Sequence, residues 1–314
     1  MDLAERLAGG VWGHLVGDAM GVPYEFRRPG EIGEVRWGEK GSHHQPPGTW
    51  SDDGGLMLAL LDSLLQKGFD LEDQGQKALE WWRGKGYKAG ERFDIGNTTQ
   101  GAMERLAAGV KAEEAGGLGE KEQGNGSLMR ILPIALVGWE MSSAELARQA
   151  MQASGVTHRH LRARVVCALY ALIAQGLLKG QDWDGAMSWA LAGMEGVVEK
   201  RGGEGAQALG EVMAWKKREG SGYVVDSFWS GWDAARGASS YRETVKRAIE
   251  YGNDTDTTAC VAGGLAGVHW GVGGIPEEWR LGMRGRAIVE GLVTRLLAVK
   301  GLRGQEMVET PREL

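Results

Sequence analysis

Asp52-Asp53-Gly54-Gly55-Leu56-Met57-Leu58-Ala59-Leu60-Leu61-Asp62-Ser63-Leu64-Leu65-Gln66-Lys67 places Leu56, Leu60 and Leu64 at intervals of four. That interval returns to one face of a helix with 3.6 residues per turn, whereas strand side chains alternate. The stretch therefore reads as an α-helix, with Gly68 as its C-cap. Ser51 precedes it as an N-cap, and Asp52 and Asp53 suit the positive end of the helix dipole. The same spacing recurs outward in both directions. Leu3, Leu7, Val11 and Leu15 predict a helix over Leu3–Asp18, closed by Pro23. Further helices are expected over Leu71–Arg83, Thr98–Val110, Gly126–Gly138, Ser143–Ala153, His160–Leu178, Trp183–Glu199, Ala206–Lys217, Tyr241–Tyr251, Thr257–Trp270 and Met283–Lys300. Strand-like pieces are short, such as Glu34–Trp37, and support no sheet. The expected fold class is all-α: one helical domain over residues 1–300, with a polar, frayed C-terminal tail over 301–314. Arg27–Thr49 and Arg201–Gly205 read as connecting loops.

Composition narrows the function classes. A hydrophobic share of 42% supplies a sizeable core and excludes global disorder. With 36 Lys+Arg against 42 Asp+Glu, the net charge is -6, which argues against nucleic acid as a partner. Cys167 and Cys260 belong to no CxxC pair, so neither a disulfide framework nor a zinc site is expected. The start Met1-Asp2-Leu3-Ala4-Glu5-Arg6 lacks a basic and apolar leader. No apolar run comes near the ~18 residues of a membrane span. These readings set the expectation of a cytoplasmic protein without a membrane partner, and a monomer is the simplest assumption for its oligomeric state. Glycine is abundant, at 52 residues against 7 prolines, and is scattered within Ala- and Leu-rich stretches. There it implies close helix–helix approach or open turns beside a ligand.

Chemistry concentrates in five segments. Thr49-Trp50-Ser51-Asp52-Asp53-Gly54 and Gly252-Asn253-Asp254-Thr255-Asp256-Thr257-Thr258 each lead into an apolar helix. Capping alone explains either, but Asp-x-Asp followed by two threonines exceeds what a cap requires. Four carboxylates with hydroxyls are the hard oxygen donors preferred by Mg²⁺, Mn²⁺ or Ca²⁺, and facing one another they would repel without a cation. An EF-hand is excluded by register, since Ala259 and Leu265 stand where Gly and Glu are needed. Gly17-Asp18-Ala19-Met20-Gly21-Val22-Pro23-Tyr24-Glu25-Phe26 puts acids at a helix C-terminus, against the dipole. In Phe93-Asp94-Ile95-Gly96-Asn97-Thr98-Thr99 either Asp94 or Thr98 can cap the next helix. Gly124-Asn125-Gly126-Ser127-Leu128-Met129-Arg130 is a glycine-rich turn whose free N–H groups suit phosphate. A dinucleotide fingerprint, a P-loop and an HExxH motif are all missing from the sequence, and lone histidines such as His14, His43 and His269 read as structural.

In order, these segments resemble the ADP-ribosylglycohydrolase family, from about Gly17 to Gly267. Ser51-Asp52-Asp53 resembles its first metal motif and Asp254-Thr255-Asp256-Thr257 its second, while Thr157-His158 resembles its Thr-His element. The resemblance implies an orthogonal all-α multi-helix bundle with two Mg²⁺ or Mn²⁺ ions at the foot of a cleft. It implies Ser51, Asp52, Asp53, Asp254, Asp256 and Thr257 as metal ligands. It also implies that Gly124, Asn125, Gly126, Ser127 and Met129 form a diphosphate loop beside His158. Two departures stand out: Ser51 replaces the commoner Thr, and Gly54 sits where the family often has a second Thr. The reaction implied is hydrolysis of the glycosidic bond between ADP-ribose and a modified target, with arginine-linked protein first among targets. Glu25 and Asp94 are both candidates for the proton-transfer group. The alternatives are a non-catalytic ADP-ribose-binding protein and a hydrolase of a free ADP-ribose ester or other N-glycoside.

Overall fold

The computed structural model describes residues 1–198 and 203–302. The tail beyond Leu302 and the start of the turn at Arg201–Gly205 lie outside the described residues. The helices are α1 (Leu3–Gly21), α2 (Asp52–Lys67), α3 (Leu71–Trp82), α4 (Asn97–Ala107), α5 (Ala112–Ala115), α6 (Leu132–Gly138), α7 (Ser143–Gly155) and α8 (Leu161–Leu178). They continue with α9 (Trp183–Val198), α10 (Glu204–Ala214), α11 (Val224–Arg236), α12 (Tyr241–Glu250), α13 (Thr255–Trp270), α14 (Glu277–Gly282) and α15 (Arg286–Val299). Extended pairing is confined, among the described residues, to isolated bridges at Gly117–His158 and Gly124–Tyr223. The chain is all-α, as expected.

The most extensive helix pair is α1 against α13. Gly9, Gly13, Gly17 and Gly21 recur every fourth residue along α1, so they form one stripe. A Cβ at Gly9 would lie 2.1 Å from the Gly267 carbonyl oxygen, and one at Gly13 would lie 2.4 Å from that of Gly263. At Gly17 the obstacle is the Ala259 oxygen at 2.2 Å, and at Gly21 the Thr255 oxygen at 2.4 Å. Backbone thus packs on backbone from Gly9 to Gly21, a little over three turns, and the C-terminal end of α1 meets the N-terminal end of α13. The abundant glycine serves the close approach expected of it.

α8 runs through the core and touches α6, α7, α9, α10, α11 and α13. It is long and apolar enough to cross a membrane, with a mean hydropathy of 1.5, and 83% of it is buried in the fold. The expectation that no stretch comes near that length is corrected here: Arg162 and Arg164 at its start broke the apolar run in the sequence. A second correction concerns Gly126–Gly138. The helix α6 begins only at Leu132, with Pro133 in its first turn. Proline is tolerated in a helix where the N–H is not needed, so the glycine-rich residues before it remain a turn. α11 was not among the expected helices, and it is buried from Val224 to Ala235 apart from Asp233.

The seam predicts a strong position dependence. Gly13→Ala puts a methyl against main chain that cannot rotate away, and overpacking of this kind costs at least about 1–3 kcal/mol. Gly291→Ala in α15 meets nothing within 4 Å, and should be neutral or gain up to about 1 kcal/mol from helix propensity. Urea unfolding midpoints should fall for the first variant and hold or rise for the second; equal midpoints would dismiss the seam as a constraint.

Candidate active site

Four acidic segments converge where α1, α2 and α13 meet. Asp18, near the end of α1, is fully buried and accepts from the Ser51 amide at 3.0 Å and the Gly54 amide at 2.8 Å. Its charge, unfavourable on its own helix, is aimed at the N-terminus of α2. Ser51 caps α2, accepting from the Asp53 amide at 3.2 Å, while its hydroxyl donates to Asp53 Oδ2 at 2.9 Å. The other Asp53 oxygen accepts from the Cys260 thiol of α13 at 2.9 Å.

At the head of α13, Asp254 occupies the N-cap position but makes no capping hydrogen bond. It accepts instead from the Asn125 side-chain amide at 2.8 Å. Reciprocal backbone bonds of 2.7 Å, from Phe26 N–H to Asn253 and from Asn253 N–H to Arg27, tie this turn to the segment carrying Glu25. Phe26, Asp94 and Asn253 all have left-handed backbones, with φ of 66°, 65° and 59°. Such conformations cost free energy in non-glycine residues and cluster where surroundings impose them. Asp94 does not cap α4 either; Gly96 holds that position without a side-chain bond.

The electrostatics follow from this crowding. Ligand atoms of Glu25, Asp254 and Asp256 lie within 4.8 Å of one another, as do those of Asp52, Asp53 and Asp94. Burial, reinforced by Asp94, Asp254 and Asp53, pushes Glu25 up to about 10. Burial and then Asp254 raise Asp53 to about 7. Asp52 and Asp256 are driven well above the usual carboxylate range, burial again coming first. His43 contacts Glu25 and sits 3.7 Å from Asp94 Oδ1, between the Phe26 and Phe93 rings. Asp256 Oδ2 is buried without a hydrogen-bond partner. An orphaned carboxylate oxygen among hard oxygen donors fits a divalent cation, which would satisfy it and offset the repulsion.

Glu25, Asp52, Asp53, Asp94 and Asp254 line a pocket of about 330 Å³. Its opposite wall is the turn Gly124-Asn125-Gly126 with Met129 and His158, and Gly96–Thr99, Lys121, Gly222 and Thr257 complete it. The turn is held by Asn125 N–H donating to Gly222 at 3.0 Å and by its side chain donating to Ser227 at 2.9 Å. Sites of one sign with a glycine-rich anion-binding wall suit a ligand that carries both hydroxyls and phosphates.

The ADP-ribosylglycohydrolase family matches over residues 1–306. The chain belongs to that family. Among its relatives are the ADP-ribosylarginine hydrolase Tri1 of Pseudomonas putida, 29% identical over 88% of this chain and 73% of that protein. The ADP-ribosyl-[dinitrogen reductase] glycohydrolase of Rhodospirillum rubrum is 27% identical over 95% of this chain and 97% of its own. A solved ADP-ribosylglycohydrolase-related protein complex superposes with a TM-score of 0.78 at 30% identity, over 95% of this chain and 98% of that one.

Within this ADP-ribosylglycohydrolase, Glu25, Asp52, Asp53, Asp94, Asp254 and Thr257 share the pocket with Gly124, Asn125, Gly126, Met129 and His158. Asp256 joins through its contact with Glu25 and Asp254. Ser127 is different: its hydroxyl accepts from Ser154 at 2.8 Å and lies 3.4 Å from Cys167, buried behind the turn. Gly54 has a packing reason, since a Cβ there would stand 2.6 Å from Leu15 and 2.8 Å from Trp50. Lys121, Gly222, His43 and Asp18 were not assigned to the site from sequence. Only Asp18 carried a signal, its charge at the wrong end of a helix.

In the metal-free protein these acids have folded-state values above their unfolded ones. Their stabilising contribution is therefore present at low pH and lost as pH rises through the folded values. In EDTA the melting temperature should fall between about pH 6 and about pH 9, a window spanning the Asp53 value near 7 and approaching that of Glu25 near 10. Added Mg²⁺ or Mn²⁺ should raise it more at the alkaline end. A flat or rising profile in EDTA would contradict the buried carboxylate cluster.

Proposed function

We propose that the chain hydrolyses the bond between the anomeric carbon of ADP-ribose and a modified target, with ADP-ribosylated arginine on protein as the first substrate. The observation that carries this reading is the meeting, in one pocket, of the paired aspartate motifs and the Gly124–Gly126 turn. The arginine linkage is supported by the name of the Tri1 relative.

Asp52, Asp53, Asp254 and Asp256, with Ser51 and Thr257, would hold two divalent cations, Mg²⁺ or Mn²⁺, which supply Lewis-acid polarisation and water activation when bound. The chain's own residues do the remainder. The Gly124–Gly126 turn and His158 hold the diphosphate and so fix the ribose over the acids. Either Glu25 or Asp94 takes the proton from water as its oxygen joins the anomeric carbon. The bond to the target breaks, and the same carboxyl group passes that proton to the departing nitrogen. Positive charge develops on the sugar as that bond stretches, and the surrounding carboxylates stabilise it. His43 holds Glu25 in place from the loop preceding α2.

The direct test is release of free ADP-ribose from an arginine-ADP-ribosylated protein, with Mg²⁺ or Mn²⁺ and again with EDTA. Release that EDTA abolishes is expected. Asp256→Ala should lower turnover by about 100-fold or more, beyond the usual effect of residues that only support a ligand, with helical circular dichroism retained. Binding of ADP-ribose without release from arginine-, serine- or ester-linked substrates would replace hydrolysis by a binding role. Full metal-dependent turnover by Asp256→Ala would overturn its place as a ligand.

A further inference from the structure

His158 is 1% exposed, Thr157 is fully buried and Arg130 is 4% exposed. The three form a chain. An Arg130 terminal nitrogen donates to the Ala153 carbonyl at 3.0 Å and to Thr157 Oγ1 at 2.9 Å. Thr157 Oγ1 lies in turn 2.9 Å from His158 Nδ1. Protons can be counted along it. A guanidinium has donors only, so Thr157 Oγ1 is the acceptor in the first contact. The hydroxyl keeps one proton of its own, and among the described residues the atom within reach to accept it is His158 Nδ1; a proton on Nδ1 would instead leave that buried hydroxyl proton without an acceptor. A nitrogen that accepts is bare. Burial, then the charge of Arg130, lowers His158 to about 3, so the ring carries a single proton at neutral pH. Burial lowers Arg130 only to about 10, which leaves it charged.

We propose that Arg130 and Thr157 lock His158 as the neutral ring protonated at Nε2, so that the ring presents a permanent donor, and no acceptor, to a phosphoryl oxygen. Nε2 faces the turn: a Cβ at Gly124 would lie 3.5 Å from it and one at Gly126 3.4 Å. It has no hydrogen-bond partner among the described residues. The amide of Gly126, which lines the same pocket, likewise donates to no acceptor among the described residues. Ser154 Oγ, 3.1 Å from the His158 carbonyl, and the His158 N–H, donating to Ser154 at 2.8 Å, hold the backbone that carries the ring. Unspent donors on this wall of the pocket favour a group that only accepts. A phosphate oxygen meets that condition, and an ammonium does not. Arg130 and Thr157 are thus positioning residues that act through the histidine. The identity of the ligand rests on the hydrolase reading above, whereas the position of the ring proton does not.

Long-range ¹H–¹⁵N correlation spectra of histidine-labelled full-length protein read that proton directly, with the His158→Gln spectrum assigning the signal. A protonated Nε2 and a bare Nδ1, unchanged from about pH 6 to about pH 8, are expected. Protonation at Nδ1, or at both nitrogens, within that range would overturn the proposal. Thr157→Ser should preserve the pattern, and Thr157→Val should release it to a mixture of forms. An unchanged pattern in a folded Thr157→Val protein would remove Thr157 from the relay; should that variant not fold, loss of the pattern in Thr157→Ser would do the same. ADP-ribose and ADP should each shift Nε2, and adenosine should not. If the ring is protonated at Nε2 but ADP shifts it no more than adenosine does, the phosphoryl assignment fails. A shift with ADP but none with ADP-ribose would sustain the phosphoryl donor and count against the hydrolase reading instead.

Discussion

The backbone contact of α1 with α13 is the constraint on which the rest of the molecule depends. Two helices bearing ordinary side chains pack with axes some 8–10 Å apart. Here glycine oxygens and α-carbons occupy the space that side chains would take, so the helices come closer. The closeness matters because of what stands at the ends. Asp18 closes α1, Asp254 and Asp256 open α13, and Thr255 donates to the Gly21 carbonyl at 2.8 Å between them. A methyl at Gly21 would have to displace the main chain of Asp256 itself.

From that junction the site is assembled by helix ends rather than by loops alone. Asp18 reaches across to the first turn of α2 and holds the main chain that carries Asp52 and Asp53. The carboxylates are thereby buried against one another, an arrangement that water would otherwise relieve. Glu25, Asp52, Asp53 and Asp256 rise above the ordinary carboxylate range first because they are buried and then because they face one another. Cation binding acts on the same burial and repulsion, so the fold and the affinity of the site are aspects of one electrostatic balance.

The opposite wall is built by different means. The turn at Gly124–Gly126 is pinned through Asn125 to Gly222 and Ser227, and so to the start of α11. Asn125 also donates to Asp254, and so links this wall to the acids. Neutral, buried His158 completes that wall with a fixed donor. Acids on one side and donors on the other give the pocket a direction, and a ligand with hydroxyls at one end and phosphates at the other can enter in only one orientation.

Much of this was legible from the chain alone. Spacing of four at Leu56, Leu60 and Leu64 specifies a helix because local geometry sets which side chains share a face. Pairs of acids with hydroxyls, and a glycine-rich turn, announce their chemistry by residue type, and their order along the chain carries the family resemblance. What sequence could not supply were relations between residues far apart. Asp254 looks like a cap, Asp94 like another, and both prove to face the pocket instead, because their tertiary neighbours outcompete the local amides. His43 and Lys121 sit in loops without any local pattern, and the acids beside His43, Glu25 and Asp94, come from other segments. Ser127 lies in the expected turn, yet its hydroxyl turns inward to Ser154 and Cys167. Local periodicity and residue chemistry follow from covalent geometry and are written in the chain. Direction, burial and charge coupling arise only when distant segments are packed together, and those the tertiary structure decided.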